Sequence, residues 1–108
     1  MIGLALTLAA SSMGTFYTGN KLYKLCTAPP GDSDVGLCLG LVGGASDMLA
    51  AIQGIAGGSS VCTSSNVTLG QEKDVVVKYL SDHPEVRDRS AASIVLVALS
   101  QAFPCPKA

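Results

Sequence analysis

The chain has no surplus charge of either sign: 7 Lys and Arg stand against 8 Asp and Glu, a net −1 over 108 residues. Binding to nucleic acid through phosphates needs a basic face, so that class of partner is excluded. Histidine is scarce as well. There is one, His83, and no two cysteines lie closer than Cys26 and Cys38. Zinc sites place their cysteine pairs two to four residues apart, so neither a metal nor any other cofactor is expected. Sheet signals are missing too: there is no long period-2 alternation and no Asn-Gly or Asp-Gly hairpin turn. A catalytic set is equally absent. Nucleophilic catalysis needs a hydroxyl or thiolate held beside a base. His83 sits in a turn ahead of Pro84, and its neighbour Asp82 does not by adjacency build a triad. Asp47 has no acidic partner in its own segment for acid–base work, and Gly40-x-x-Gly43-Gly44 lacks the Lys-Ser/Thr of a phosphate loop. The chain is expected not to be an enzyme.

What is present is apolar: 48% of residues are hydrophobic, in a length that suits one domain. The run Ile2–Ala10 followed by Ser11, Ser12, Met13 and Gly14 has the apolar core and small-residue zone of a secretory signal, without its basic start. It is about half the ~20 residues that a membrane span needs. Residues 1–14 are therefore read as a signal remnant or an N-terminal tail or helix, and residues 15–108 as the domain.

Helical periods dominate that domain. A short helix from Gly19 to Cys26 puts Leu22, Leu25 and Cys26 on one face, and Pro29-Pro30-Gly31 breaks it. A second helix begins near Ser33 or Asp34, both suitable N-caps. One stripe on it carries Val35, Cys38, Val42, Ala45, Leu49 and Ile52; another carries Leu37, Leu41, Met48 and Ile55; a third holds Gly40, Gly44, Asp47 and Ala51. Such a helix has little to show to water. It is either central and buried, or packs the core on one side and a second subunit on the other. In the second case Leu41, Gly44 and Met48 form the dimer face. Asp47 among the glycines argues against the membrane form of this small-residue pattern.

A Gly/Ser-rich loop, Gly54–Asn66, follows. Thr68 and Gln71 fit a capping box for a third helix with Val76, Val77 and Leu80 inward. The sequon Asn66-Val67-Thr68 is read as part of that cap. Asp74 and Lys78 are spaced as an i,i+4 ion pair. Pro84 is placed as the first residue of a fourth helix, Glu85 beside it suits the positive helix end, and Ala91, Ile94, Val95, Ala98, Leu99 and Ala102 form its buried face. Pro104 ends it. The expectation is an all-α bundle of about four to five helices stapled by two disulfides. Four cysteines allow three pairings. The helix order favours Cys26–Cys38 and Cys62–Cys105, each joining neighbouring ends of an antiparallel pair.

Taken in order, Gly19-Asn20-x-Leu22, Cys26, Cys38-x-Gly40, Gly43-Gly44, Asp47, Cys62, Val67-Thr68, Gln71, Val76, Tyr79-Leu80, His83-Pro84, Ala98-Leu99 and Ala102-Phe103-Pro104-Cys105 make a pattern. It resembles the Rap/Tai class of immunity proteins, which accompany peptidoglycan amidase toxins delivered by type VI secretion in Gram-negative bacteria. Leu41 stands where that class usually has an aromatic, and Thr63 where it often has proline. The resemblance implies a periplasmic, disulfide-containing homodimer with no catalytic activity of its own. It implies binding to a cognate cell-wall amidase, a papain-like cysteine hydrolase, and blocking of its active-site cleft. The expected toxin-binding loop is Gly57, Gly58, Ser59, Ser60, Ser64, Ser65 and Asn66, with the His83 turn as second choice. The competing expectations are a small periplasmic stress or chaperone-like protein, and a hydrolase using a serine with His83.

Overall fold

A computed structural model describes residues 15–106; the signal or tail expected over 1–14 lies outside them. Four α-helices form, with no strand among the described residues: α1 (Gly19–Cys26), α2 (Ser33–Ala56), α3 (Leu69–Asp82) and α4 (Ala91–Ala102), and a short 3-10 turn, Pro84–Val86, between α3 and α4. The expected all-α class and both expected disulfides, Cys26–Cys38 and Cys62–Cys105, are present.

Local chemistry sets the helix limits. Thr18 caps α1 by accepting from the Lys21 N–H. Gly19 follows because the chain runs against the segment before α4: the Gly19 N–H donates to the Arg89 carbonyl at 2.8 Å, and the Asn20 N–H to that of Arg87 at 2.7 Å. A Cβ on Gly19 would sit 3.0 Å from the Arg87 backbone. The Tyr17 carbonyl accepts from the Ala91 N–H, fixing the start of α4 against the same strip. The α2 cap is Asp32, one residue before the expected ones: its Oδ1 accepts from the Asp34 N–H at 2.9 Å. Helix α2 runs through Gly54 to Ala56, past the point where the loop was expected to start, and stops at Gly57 in the left-handed region, φ 81°. At α3 both halves of the capping box form: Thr68 Oγ1 accepts from the Gln71 N–H, and Gln71 Oε1 accepts from the Thr68 N–H.

Two expectations around α3 and α4 are corrected. Lys78 pairs with Asp82 at 2.9 Å rather than with Asp74, which lies near Lys73. The Lys78–Asp82 bond holds the Asp82 carboxyl below its ordinary value. Pro84 opens the 3-10 turn rather than α4, whose cap is Ser90. The reason is that Arg87–Ala91 is committed to backbone bonds with Tyr17, Gly19 and Asn20, so a helix begun at Pro84 could not continue through it.

The core joins Leu22, Leu25 and Cys26 of α1, Cys38 and Val42 of α2, Val76 and Leu80 of α3, and Ala91, Ile94, Val95, Ala98 and Leu99 of α4. Helix α4 is thus the central one. Helix α2 is not: of its 24 residues only Cys38 and Val42 are buried. Its first three turns and Ala45 lie on the bundle, and beyond them one side of the helix, with Met48, Ile52 and Ile55, is left uncovered. Ala102, expected inside, is exposed at the end of α4.

A core of this size gains from cross-links, because small domains bury a limited share of their surface. Cys62–Cys105 closes 43 residues, a loop whose constraint on the unfolded chain is worth about 4 kcal/mol. Replacing both cysteines with serine is expected to lower the unfolding free energy by that order in urea titration. The helical circular dichroism should persist below the transition.

Candidate functional site

Two surfaces meet at the far end of α2: the loop that leaves it and the apolar face that α2 leaves uncovered. The loop, 57–67, is held by little packing: only Val61 rests against the core, and Val67 is half-buried. Gly57, Gly58, Ser59, Ser60, Ser64, Ser65 and Asn66 are all exposed. What holds it is Gln53, a polar side chain in the last turns of an apolar helix. Its Oε1 accepts from the backbone N–H of Ser60 at 2.8 Å and of Val61 at 3.0 Å, while its Nε2 donates to the Val61 carbonyl at 3.2 Å. The amide thereby supplies three hydrogen bonds that a strand neighbour would otherwise supply. One residue on, the Cys62 N–H donates to the Phe103 carbonyl at 2.8 Å, beside the disulfide to Cys105. Ser64 then turns the chain: its carbonyl accepts from Val67 N–H and its hydroxyl from Asn66 N–H. The Gly/Ser loop is therefore a shaped ledge with its Ser and Asn side chains turned to solvent and Val61 turned to the core. Gly57 differs from the others, since it serves first as the stop of α2.

The uncovered face of α2 carries Leu37, Met48, Ile52 and Ile55, which are 42%, 61%, 51% and 88% exposed. Gly44 lies open beside Met48, whereas Leu41 turns partly inward and packs on the core. Ile52 belongs to the stripe expected to face the core; it is exposed because the bundle ends before α2 does. By length and composition Ser33–Ala56 is also apolar enough to cross a membrane. Its attachments argue for a bundle helix instead. Cys38 is bonded to α1, Val42 is buried in the core, Gln53 holds the loop, and Asp47 in the middle of the helix would be costly in a bilayer.

The His83 turn is compact. Its ring lies 4.2 Å from that of Tyr79, and Nδ1 is 3.2 Å from Glu85 Oε2. The Glu85 backbone N–H, and after it His83, lower the Glu85 carboxyl below its ordinary value. Glu85 thus serves the turn rather than a helix end. All four cysteines are spent in disulfides, leaving no thiolate. Among the described residues no group of three His, Cys, Asp or Glu side chains is placed to hold a metal.

The family model of Rap1a immunity proteins matches residues 18–105. The chain belongs to the Rap1a immunity protein family. No curated protein matches it. The family match begins at Thr18 and ends at Cys105, so it covers all four helices, both disulfides and the ledge. An immunity role against secreted toxins, and with it a cognate toxin as partner, follows from membership. Paired cysteines at both ends of the bundle are consistent with an extracytoplasmic protein.

The sequence did not single out Gln53. The available signal was a lone amide in the last turns of a helix otherwise apolar there. Gln53→Ala is expected to leave the helical content unchanged and to speed hydrogen exchange at the Ser60 and Val61 amides by about tenfold or more, since it removes the loop's main attachment.

Proposed function

We propose that this Rap1a-family chain neutralises a type VI secreted peptidoglycan amidase in the periplasm by occupying its active-site cleft, and that it acts as a homodimer. The observation that carries the reading is the exposed ledge 57–67, pinned by Gln53 and Cys62 at the end of an otherwise unfinished apolar helix. A preordered loop binds with little ordering cost, and small, exposed Gly and Ser residues suit entry into a narrow cleft. Gly58, Ser59, Ser60, Ser64, Ser65 and Asn66 are the assigned contact residues. The role needs no catalytic group of its own, since obstruction alone stops the toxin. The outer face of α2 fits the dimer contact, with Met48 and Gly44 at its middle and Ile52 and Ile55 continuing it. Exposed apolar residues at this density along one helix are the mark of a protein contact, and a C2 dimer would bring two such faces together.

The direct test mixes the purified protein with the type VI amidase encoded beside it. A complex by size exclusion and loss of peptidoglycan hydrolysis are expected; full hydrolysis with no complex would reject the reading. Met48→Asp tests the dimer. Because Met48 is 61% exposed, the variant should fold with little change in Tm and run as a monomer in sedimentation. An unchanged dimer would place the contact elsewhere.

A further inference from the structure

A notch of about 240 Å³ opens between the middle of α2 and the first turn of α3. Gly43, Ser46 and Asp47 line it from α2, and Leu69 and Glu72 from α3. Glu72 is the one charged residue buried among those described, with 8% of its surface exposed. Its Oε1 is shut from solvent and has no hydrogen-bond partner. Neither Asp47 nor Glu72 takes part in an ion pair among the described residues, whose pairs are Lys73–Asp74, Lys78–Asp82 and His83–Glu85. Gly43 leaves the α2 wall low: a Cβ there would meet Leu69 Cδ1 at 3.3 Å.

Burial of a carboxylate without a donor is costly. The cost is recovered when a donor arrives from outside, and a buried carboxylate beside the exposed Asp47 in one polar opening suits the planar fork of a guanidinium, or a compact ammonium group. On this chain Lys73 and Lys78 are paired with carboxylates, and the Arg87 guanidinium lies 4.3 Å over the Tyr23 ring. Among the described residues no Lys or Arg lines the notch, which leaves the complementary charge to a partner. The notch stands next to Thr68, where the ledge enters α3, so a protein seated on the ledge overhangs it.

We propose that the Asp47–Glu72 notch receives a Lys or Arg side chain of the bound toxin. The assignment rests on the toxin-binding reading above and adds to it the chemistry of one contact. The decisive variants are Glu72→Gln and Asp47→Asn, each measured for affinity to the adjacent-gene amidase at low and high salt, for Tm, and for dimerisation. Glu72→Gln is expected to weaken toxin binding by about tenfold or more, to flatten its salt dependence, and to raise the Tm of the free protein, because an unpaired buried charge is removed. Asp47→Asn should weaken binding in the same direction with Tm unchanged. Wild-type affinity and salt slope in both variants would overturn the proposal. So would a fall in Tm for Glu72→Gln, which would make the residue structural. Loss of dimerisation at constant amidase affinity would also overturn it, by assigning the notch to a second copy. If the wild-type protein binds no amidase, the toxin-neutralising reading fails and this contact falls with it, an outcome distinct from normal binding by the variants.

Discussion

The bond between Cys62 and Cys105 joins the approach to α3 to the exit from α4, and the Cys62 N–H donates to the Phe103 carbonyl beside it. Helices α3 and α4 are thereby closed at the end opposite the Pro84–Val86 turn, so the hairpin they form is held at both ends. The same bond anchors the middle of the 57–67 segment, holding the Cys62 Cα 4.9 Å from that of Cys105 just beyond α4. Gln53 fixes where it starts to turn back. Between a covalent tie and three amide hydrogen bonds, a loop with scarcely any apolar side chain holds one shape. Cys26–Cys38 does the corresponding task at the other end, where it secures α2 to α1 through two buried sulfurs.

These ties explain how α2 can be so poorly covered and still be placed. A 24-residue helix is about 36 Å long, longer than the 12-residue α4 that forms the centre of the core. Its N-terminal half is secured by Cys38 and Val42, and its remainder projects with Met48, Ile52 and Ile55 toward solvent. A lone water-exposed face of that kind is unfavourable, and cover by protein is the solution consistent with Asp47 and Gln53 on the same helix. The stability of the bundle therefore resides in α1, α3, α4 and the part of α2 around Cys38 and Val42, with the disulfides. The outer half of α2 and the ledge are left free for contact.

The sequence was most legible where local chemistry decides structure. Gly19–Cys26 as a helix, the Thr68–Gln71 box, the Gly/Ser loop and the inward faces of α1, α3 and, Ala102 apart, α4 all follow from spacing and capping, and the disulfide pairing follows from helix order. It was least legible where a distant segment intervenes. Pro84 is a good first helical residue, yet the backbone bonds of Arg87 to Ala91 with Tyr17, Gly19 and Asn20 delay α4 until Ala91. Periodicity places Ile52 on the same stripe as Val42 but is silent on where the bundle ends, so one is buried and the other open. Of the site, the exposed loop residues were readable as such. Gln53 as its holder, and Glu72 facing Asp47 across a notch, depend on two helices meeting, which no local pattern encodes.

The central claim is that the pinned ledge and the outer half of α2 are the contact surfaces. Hydrogen–deuterium exchange of the protein alone and with the type VI amidase tests it most directly. Slower exchange confined to peptides covering 57–67 and the start of α3 is the expected result, with the outer half of α2 already protected relative to a Met48→Asp monomer. Protection centred instead on the His83–Val86 turn, with 57–67 exchanging as in the free protein, would contradict it.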